Sequence, residues 1–187
     1  MPTVQSAPHR HRLSVDDFYK MGDAGIFTED DRVELIEGEL IDMSPIGSPH
    51  AYILDKLNAI FVKQAPATAL VRIQNPIRLD QYNEPQPDLV VAIHRDYSKG
   101  HPAPKDVLLV AEVADSSLRY DRNTKAPLYA QHAIPEMWLF DVEAQTVEVF
   151  LEPATDRYRH TRRVQNGTLS PGKVPDIILD LARLWTN

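Results

Sequence analysis

The sequence predicts a single α/β domain, a curved mixed sheet with helices packed against it. Three observations carry that expectation. Residues 88–93 and 107–113 are short apolar runs of strand length. Ile53, Leu57, Ile60 and Phe61 recur at helical spacing. Glu37-Gly38 lies between Val33-Glu34-Leu35-Ile36 and Glu39-Leu40-Ile41 as a two-residue hairpin turn. Continuous apolar runs suit interior strands covered on both faces, and the turn pair suits two antiparallel strands. With 187 residues the chain is long enough to bury a core without crosslinks.

The elements follow in order. Residues 1–12 are polar, include His9 and His11, and lack the apolar run of a signal peptide. They are expected to be disordered, with the domain spanning 13–187. The His-x-His pattern has metal-binding potential, but in such a terminus disorder is the stronger reading. Ser14-Val15-Asp16-Asp17 starts a short helix that stops at Gly22. After the hairpin, Ser48-Pro49 opens a helix ending near Gln64, with serine as cap and proline as first helical residue. Residues 69–78 alternate loosely and read as a strand ahead of the two apolar runs. Residues 121–132 read as a helix in which Pro127 is tolerable only near the first turns. Residues 137–141 and 146–151 form a second hairpin, 157–164 pair beyond it, and 180–185 close the chain as a short helix. There is no internal repeat and no linker long enough to divide the chain.

Composition narrows the possibilities. The absence of cysteine excludes disulfides and thiolate metal sites and suits a reducing compartment. No apolar stretch approaches the ~20 residues that span a bilayer, so a soluble, cytoplasmic protein without a membrane partner is expected. The net charge of −7 counts against a protein that simply coats nucleic acid. The charge is uneven, with ten acids against two bases between Asp16 and Asp42. Arg157, Arg159 and Arg163 share one strand face, with Arg162 opposite. That stripe suits either a phosphate backbone or an edge strand protected by charge. Trp138 fits a packed strand better than a stacking platform.

The chemistry concentrates on Asp88 and Glu112, the first opening one predicted interior strand and the second closing the other. If those strands are antiparallel neighbours, the two acids meet at one sheet edge. Carboxylates without Cys or His make a hard-oxygen site suited to Mg²⁺ or Mn²⁺. Such an ion polarises a phosphoryl oxygen and acidifies a bound water. Glu112 lies within Leu108-Leu109-Val110-Ala111-Glu112-Val113, where a carboxylate needs a compensating partner. Pro175-Asp176 repeats the Pro-Asp pair without any acid downstream to join it. On spacing, Asp121 and Lys125 read as an i,i+4 surface ion pair with Tyr129 beneath, although an ammonium there would also suit a developing phosphate charge.

The ordered set of motifs is more specific than any one of them. Glu34-Leu35-Ile36-Glu37-Gly38-Glu39-Leu40, Ser48-Pro49-His50 and Gln86-Pro87-Asp88-Leu89-Val90-Val91 come first. Glu112-Val113, Ser116-Ser117, Asp121, Lys125, Tyr129-Ala130 and Pro135-Glu136-Met137-Trp138-Leu139-Phe140-Asp141 continue in the same order. Over about residues 13–150 this resembles the Uma-two family of endonucleases, within the PD-(D/E)XK superfamily. The resemblance implies a restriction-endonuclease-like mixed β-sheet flanked by helices. It implies Asp88 and Glu112 as metal ligands, the backbone carbonyl after Glu112 as a third, and Lys125 as the site lysine. The superfamily pattern puts that lysine two residues after the glutamate, where this chain has Ala114.

The expected activity is Mg²⁺- or Mn²⁺-dependent hydrolysis of DNA phosphodiester bonds. Glu39 and His50 are preferred to complete the site, Glu34 being a further candidate. A homodimer is expected, because cutting both strands of a duplex calls for two sites related by symmetry. The alternatives are a catalytically silent module that binds nucleic acid or a partner, which the acidic balance and Ala114 favour, and a metal-dependent hydrolase of a small phosphoester.

Overall fold

The computed structural model describes residues 10–28 and 31–186. Residues 1–9 of the terminus expected to be disordered, His9 among them, lie outside the described residues. Arg10 and Arg12 do not. Arg12 Nε donates to Glu37 O at 2.8 Å, and its guanidinium lies 4.2 Å over the Tyr82 ring.

Helix α1 (Val15–Asp23) begins with a reciprocal cap, as the Ser14-x-x-Asp17 spacing predicts. The Ser14 hydroxyl accepts from Asp17 N at 3.1 Å, and the Asp17 carboxylate accepts from Ser14 N at 3.2 Å. Strands β1 (Val33–Ile36) and β2 (Glu39–Asp42) form the expected antiparallel hairpin. Its turn holds Glu37 at φ 54° and Gly38 at φ 78°, the left-handed pair of a tight hairpin. Glycine is required at the second position, since a Cβ on Gly38 would come within 2.6 Å of Arg12 Cβ. The hairpin lies apart from the main sheet and docks through backbone bonds, Gly38 N to Tyr82 O at 2.9 Å and Glu84 N to Leu35 O at 2.8 Å.

Helix α2 (Ser48–Gln64) starts one residue earlier than the sequence suggests, with Gly47 as its cap and Pro49 inside the first turn. It buries Ile53, Leu54, Leu57 and Phe61. Strand β3 (Ala69–Ile73) ends well short of residue 78. Gln74 takes φ 47° and Pro76 follows, which together take the backbone out of the ladder. Strands β4 (Leu89–Ile93), β5 (Val107–Ala114), β6 (Glu136–Asp141), β7 (Thr146–Pro153) and β8 (Tyr158–Val164) complete a six-stranded sheet in the order β3-β4-β5-β6-β7-β8. Every neighbouring pair is antiparallel except β5 and β6. That parallel pair requires a crossover, which the segment between Leu118 and Gln131 supplies.

The crossover is not one regular helix. Helix α3 (Leu118–Tyr120) runs into a π-helical turn (Asp121–Lys125) and then α4 (Ala126–Gln131). Pro127 has no N–H and would crowd the carbonyl four residues back in a regular helix. The wider turn, closed by Ala126 N to Asp121 O, lets the chain continue through it. Two further strands were below the length that a sequence pattern reveals. They are β9 (Thr168–Leu169) and β10 (Leu179–Asp180), a two-stranded ribbon leading into α5 (Leu181–Trp185).

The sheet is covered on both faces, as its unbroken apolar runs require. On one side Leu89, Val91, Leu109, Trp138 and Phe140 pack beneath α2 and α5. On the other, Val90, Val110, Met137 and Leu139 pack against α4, Ile36 and Ile77. Trp138 is fully buried, and its indole N–H donates to Glu136 Oε1 at 2.6 Å. The arginines of β8 lie along a sheet edge, where Arg163 reaches Glu148 at 2.7 Å.

Candidate active site

Strand register creates the site. Leu89 pairs with Ala111 in the antiparallel β4–β5 ladder, so one step further Asp88 stands opposite Glu112. Both belong to the face that packs on α4, because side chains alternate along a strand. Asp88 Oδ2 accepts from Val113 N at 2.8 Å, and Oδ1 lies 3.0 Å from His50 Nε2. His50 sits in the first turn of α2, whose N-terminus therefore reaches the sheet edge. Its Nδ1 is buried without a partner.

Glu112 Oε1 accepts from the Tyr129 hydroxyl at 2.6 Å and lies 3.3 Å from Lys125 Nζ. The same ammonium lies 3.2 Å from Glu34 Oε2, which also accepts from Gln86 N at 3.1 Å. Lys125 is thus no surface partner of Asp121. It is a buried cation between two other carboxylates, carried in by the π turn. Asp121 is buried as well and accepts from Ser117 Oγ at 2.5 Å.

Four acids here, Glu34, Asp88, Glu112 and Asp121, are at most 7% exposed, with Lys125 at 4%. Their titration reflects that crowding. Burial pushes the Glu112 carboxyl well up; Asp121 and Asp88 add to this, and Lys125 opposes it. Burial likewise raises Asp121, to about 6, against the pull of Lys125 and Ser117. Asp88 goes the other way, because His50, Val113 N–H and Lys125 outweigh its burial. For Lys125 burial favours the neutral amine, but Glu112, Glu34, Asp121 and Asp88 overcome it and hold the ammonium charged.

A hard divalent cation suits this donor set. The acids offer oxygen only, and their combined negative charge exceeds what Lys125 balances. Asp88 and Glu112 are the pair that could hold it. Among the described residues no three His, Asp or Glu side chains enclose an ion by themselves. Mg²⁺ commonly takes one or two carboxylates and completes its shell with water and substrate oxygens. The surrounding cleft, about 420 Å³, opens between the end of β5, the start of α2 and the 43–47 loop.

Of the residues expected from the sequence, Asp88, Glu112, Lys125 and His50 come together and Glu39 does not. Glu39 is exposed and pairs with Arg10 at 2.8 Å. The acid that the hairpin delivers is Glu34. Both lie on one face of the ribbon, but Glu34 pairs with Ile41 whereas Glu39 pairs with Ile36 beside the turn. That offset is about 7 Å along the strands, enough to leave Glu39 at the rim. Asp121 and Tyr129, read from the sequence as a surface acid and a packing ring, prove to be polar members of the site. Their shared helical face with Lys125 was the available signal.

Comparison with known proteins bears on the fold and the family. A solved structure titled a "putative nuclease belonging to DUF820", from Anabaena variabilis, matches with a TM-score of 0.69. The match covers 92% of this chain and 97% of that one at 18% identity, a likeness of fold. No curated protein matches this chain. The model of the Uma2 family, described as "Putative restriction endonuclease", matches residues 15–182. That span takes in the hairpin, both sheet-edge acids and the buried lysine, and the chain belongs to the Uma2 family.

Proposed function

We propose that the protein is an endonuclease that hydrolyses phosphodiester bonds of DNA with Mg²⁺ or Mn²⁺ as cofactor. The observation that carries the reading is the meeting of Asp88 and Glu112 at one sheet edge beside a buried, charged Lys125. Family membership and fold support it.

In this reading Asp88 and Glu112 hold the ion, with the carbonyl of Val113 as a further ligand. When bound, the ion polarises a phosphoryl oxygen and lowers the pKa of a coordinated water. The protein's own groups do the rest. Val113 N–H and His50 fix the Asp88 carboxylate, and Tyr129 fixes Glu112. Lys125 keeps its proton and offsets the charge that develops on the phosphate. Residues 13–187 act as one catalytic domain, and a cytoplasmic homodimer brings two such sites to a duplex.

The test is calorimetric titration of Mn²⁺ and Mg²⁺ into the wild type, Asp88→Ala and Glu112→Ala, with plasmid nicking measured on the same samples. The reading requires metal binding and nicking by the wild type and loss of both in each variant. Metal binding without nicking would move the assignment to a binding module or a hydrolase of small phosphoesters. Competition by small phosphodiesters would distinguish those two. Binding indifferent to both substitutions would overturn the site.

A further inference from the structure

The cleft around the site has an unusual charge balance for a nuclease. Six acids line it against three bases, Arg32, His50 and Lys125. Two of those bases are committed, His50 to Asp88 and Lys125 to Glu34 and Glu112. Arg32 is not. Among the described residues no carboxylate lies within ion-pair distance of it, and its one hydrogen bond runs from Nη1 to Ser44 O at 3.2 Å. A guanidinium carries five N–H donors, so most of its capacity is unspent among the described residues.

Arg32 also has a defined place relative to the reacting edge. Met43 N donates to Arg32 O at 2.8 Å, which extends the β1–β2 ladder by one pair. Arg32 and Glu34 therefore share a face, about 7 Å apart along the ribbon. Glu34 is the inner of the two and touches Lys125. The step is comparable with that between consecutive phosphates of a nucleotide strand.

A second, independent feature points into the same space. Tyr120 lines the cleft, and its hydroxyl is buried without any hydrogen-bond partner. Buried polar groups are normally satisfied, and an orphaned O–H on a residue that lines a cleft is a donor awaiting an acceptor. The titratable residues around it are Glu34, Lys125, Asp121 and Glu112, and burial favours the neutral phenol. It is available as a donor.

We propose that Tyr120 and Arg32 form the substrate-holding wall of the cleft. The Tyr120 hydroxyl donates to a non-bridging oxygen of the phosphodiester under attack, and the Arg32 guanidinium grips the adjacent phosphate of the same strand. This rests on the nuclease reading and narrows it. The substrate is a nucleotide strand with consecutive phosphates, and a lone phosphodiester fills only half of the wall.

The experiment compares wild type, Arg32→Ala, Arg32→Lys and Tyr120→Phe. Two quantities are read: Kd for a fluorescein-labelled oligonucleotide with Ca²⁺ in place of Mn²⁺, which suppresses turnover and leaves Glu112 intact, and KM and kcat for bis(4-nitrophenyl) phosphate with Mn²⁺. Arg32→Ala should weaken oligonucleotide binding about ten-fold, the loss of one charge-assisted hydrogen bond. It should reduce the slope of log K against log salt by about one and leave the small diester untouched. Arg32→Lys should restore the slope. Tyr120→Phe should impair both substrates while keeping the wild-type slope. Calorimetric Mn²⁺ affinity should be unchanged in Arg32→Ala and Tyr120→Phe. Unaltered oligonucleotide binding in Arg32→Ala and Tyr120→Phe, in an enzyme that nicks DNA, would overturn this inference and leave the nuclease reading intact. A wild type that binds neither Mn²⁺ nor DNA would overturn both.

Discussion

Replacing Asp121 by asparagine should stabilise the metal-free protein at neutral pH and do almost nothing in acid. Asp121 is 3% exposed and surrounded by carboxylates, and its pKa rises from 3.8 to about 6 on folding. A raised carboxyl pKa means that folding favours the protonated form. The associated stability is complete below the unfolded value, near 4, and is lost as pH climbs through about 6. A shift of that size corresponds to about 3 kcal/mol, an upper figure for the charge alone. Asparagine removes the charge and keeps an oxygen to accept from Ser117 Oγ. Urea unfolding of both proteins in chelator should therefore show Asp121→Asn ahead by up to about 3 kcal/mol at pH 7.5, with m unchanged. The gap should shrink to about 1 kcal/mol at pH 4.5 and close below about pH 3. A gap of the same size at both pH values, or a wild type that is the more stable at pH 7.5, would refute the reasoning, because neither can arise from an ionised carboxylate confined among others.

Three further outcomes follow from the same geometry. Lys125→Met leaves Glu34 and Glu112 buried without their cation and should cost about 3–5 kcal/mol at pH 7.5, less at acidic pH where Glu112 is protonated; urea unfolding reads both. Tyr129→Phe removes the hydroxyl bonded to Glu112 and should weaken Mn²⁺ binding by about ten- to a hundred-fold in calorimetry. Glu39→Gln removes only an exposed pair with Arg10, so stability should change by no more than about 0.5 kcal/mol and plasmid nicking should stay at wild-type rate.

Much of this was legible in the sequence because it depends on local pattern. The runs at 88–93 and 107–113 identified two strands buried on both faces, and an acid at the end of each put Asp88 beside Glu112 on the condition, met in the structure, that the strands pair antiparallel. The Glu37-Gly38 pair gave the hairpin, and Ser14 gave the first cap. What escaped depends on how distant segments dock. Choosing Glu34 over Glu39 requires knowing how far the hairpin slides along the 82–86 segment, which is set by Glu84 N to Leu35 O and Gly38 N to Tyr82 O. The burial of Lys125 depends on the π turn. Pro127 hinted at an irregularity there, but spacing could not tell a helix kinked at Pro127 from one widened before it. The ribbon of β9 and β10 has two residues per strand, too few for any periodicity to register.

The bulge between Val91 and Ala92 gives the chain a place to absorb change. It lies toward the end of the β4–β5 ladder remote from Asp88, so the site-side pairs keep their register whatever the connecting segment does. The tip of that connection, 98–100, is exposed, and such tips accept foreign sequence most readily. A reporter or targeting domain spliced in at Lys99 would hang from the closed end of the hairpin, with any strain in its joints taken up at the bulge. The same insertion near residue 87 has no such buffer, and strain at its joints would fall directly on Asp88 and its contacts with Val113 N–H and His50.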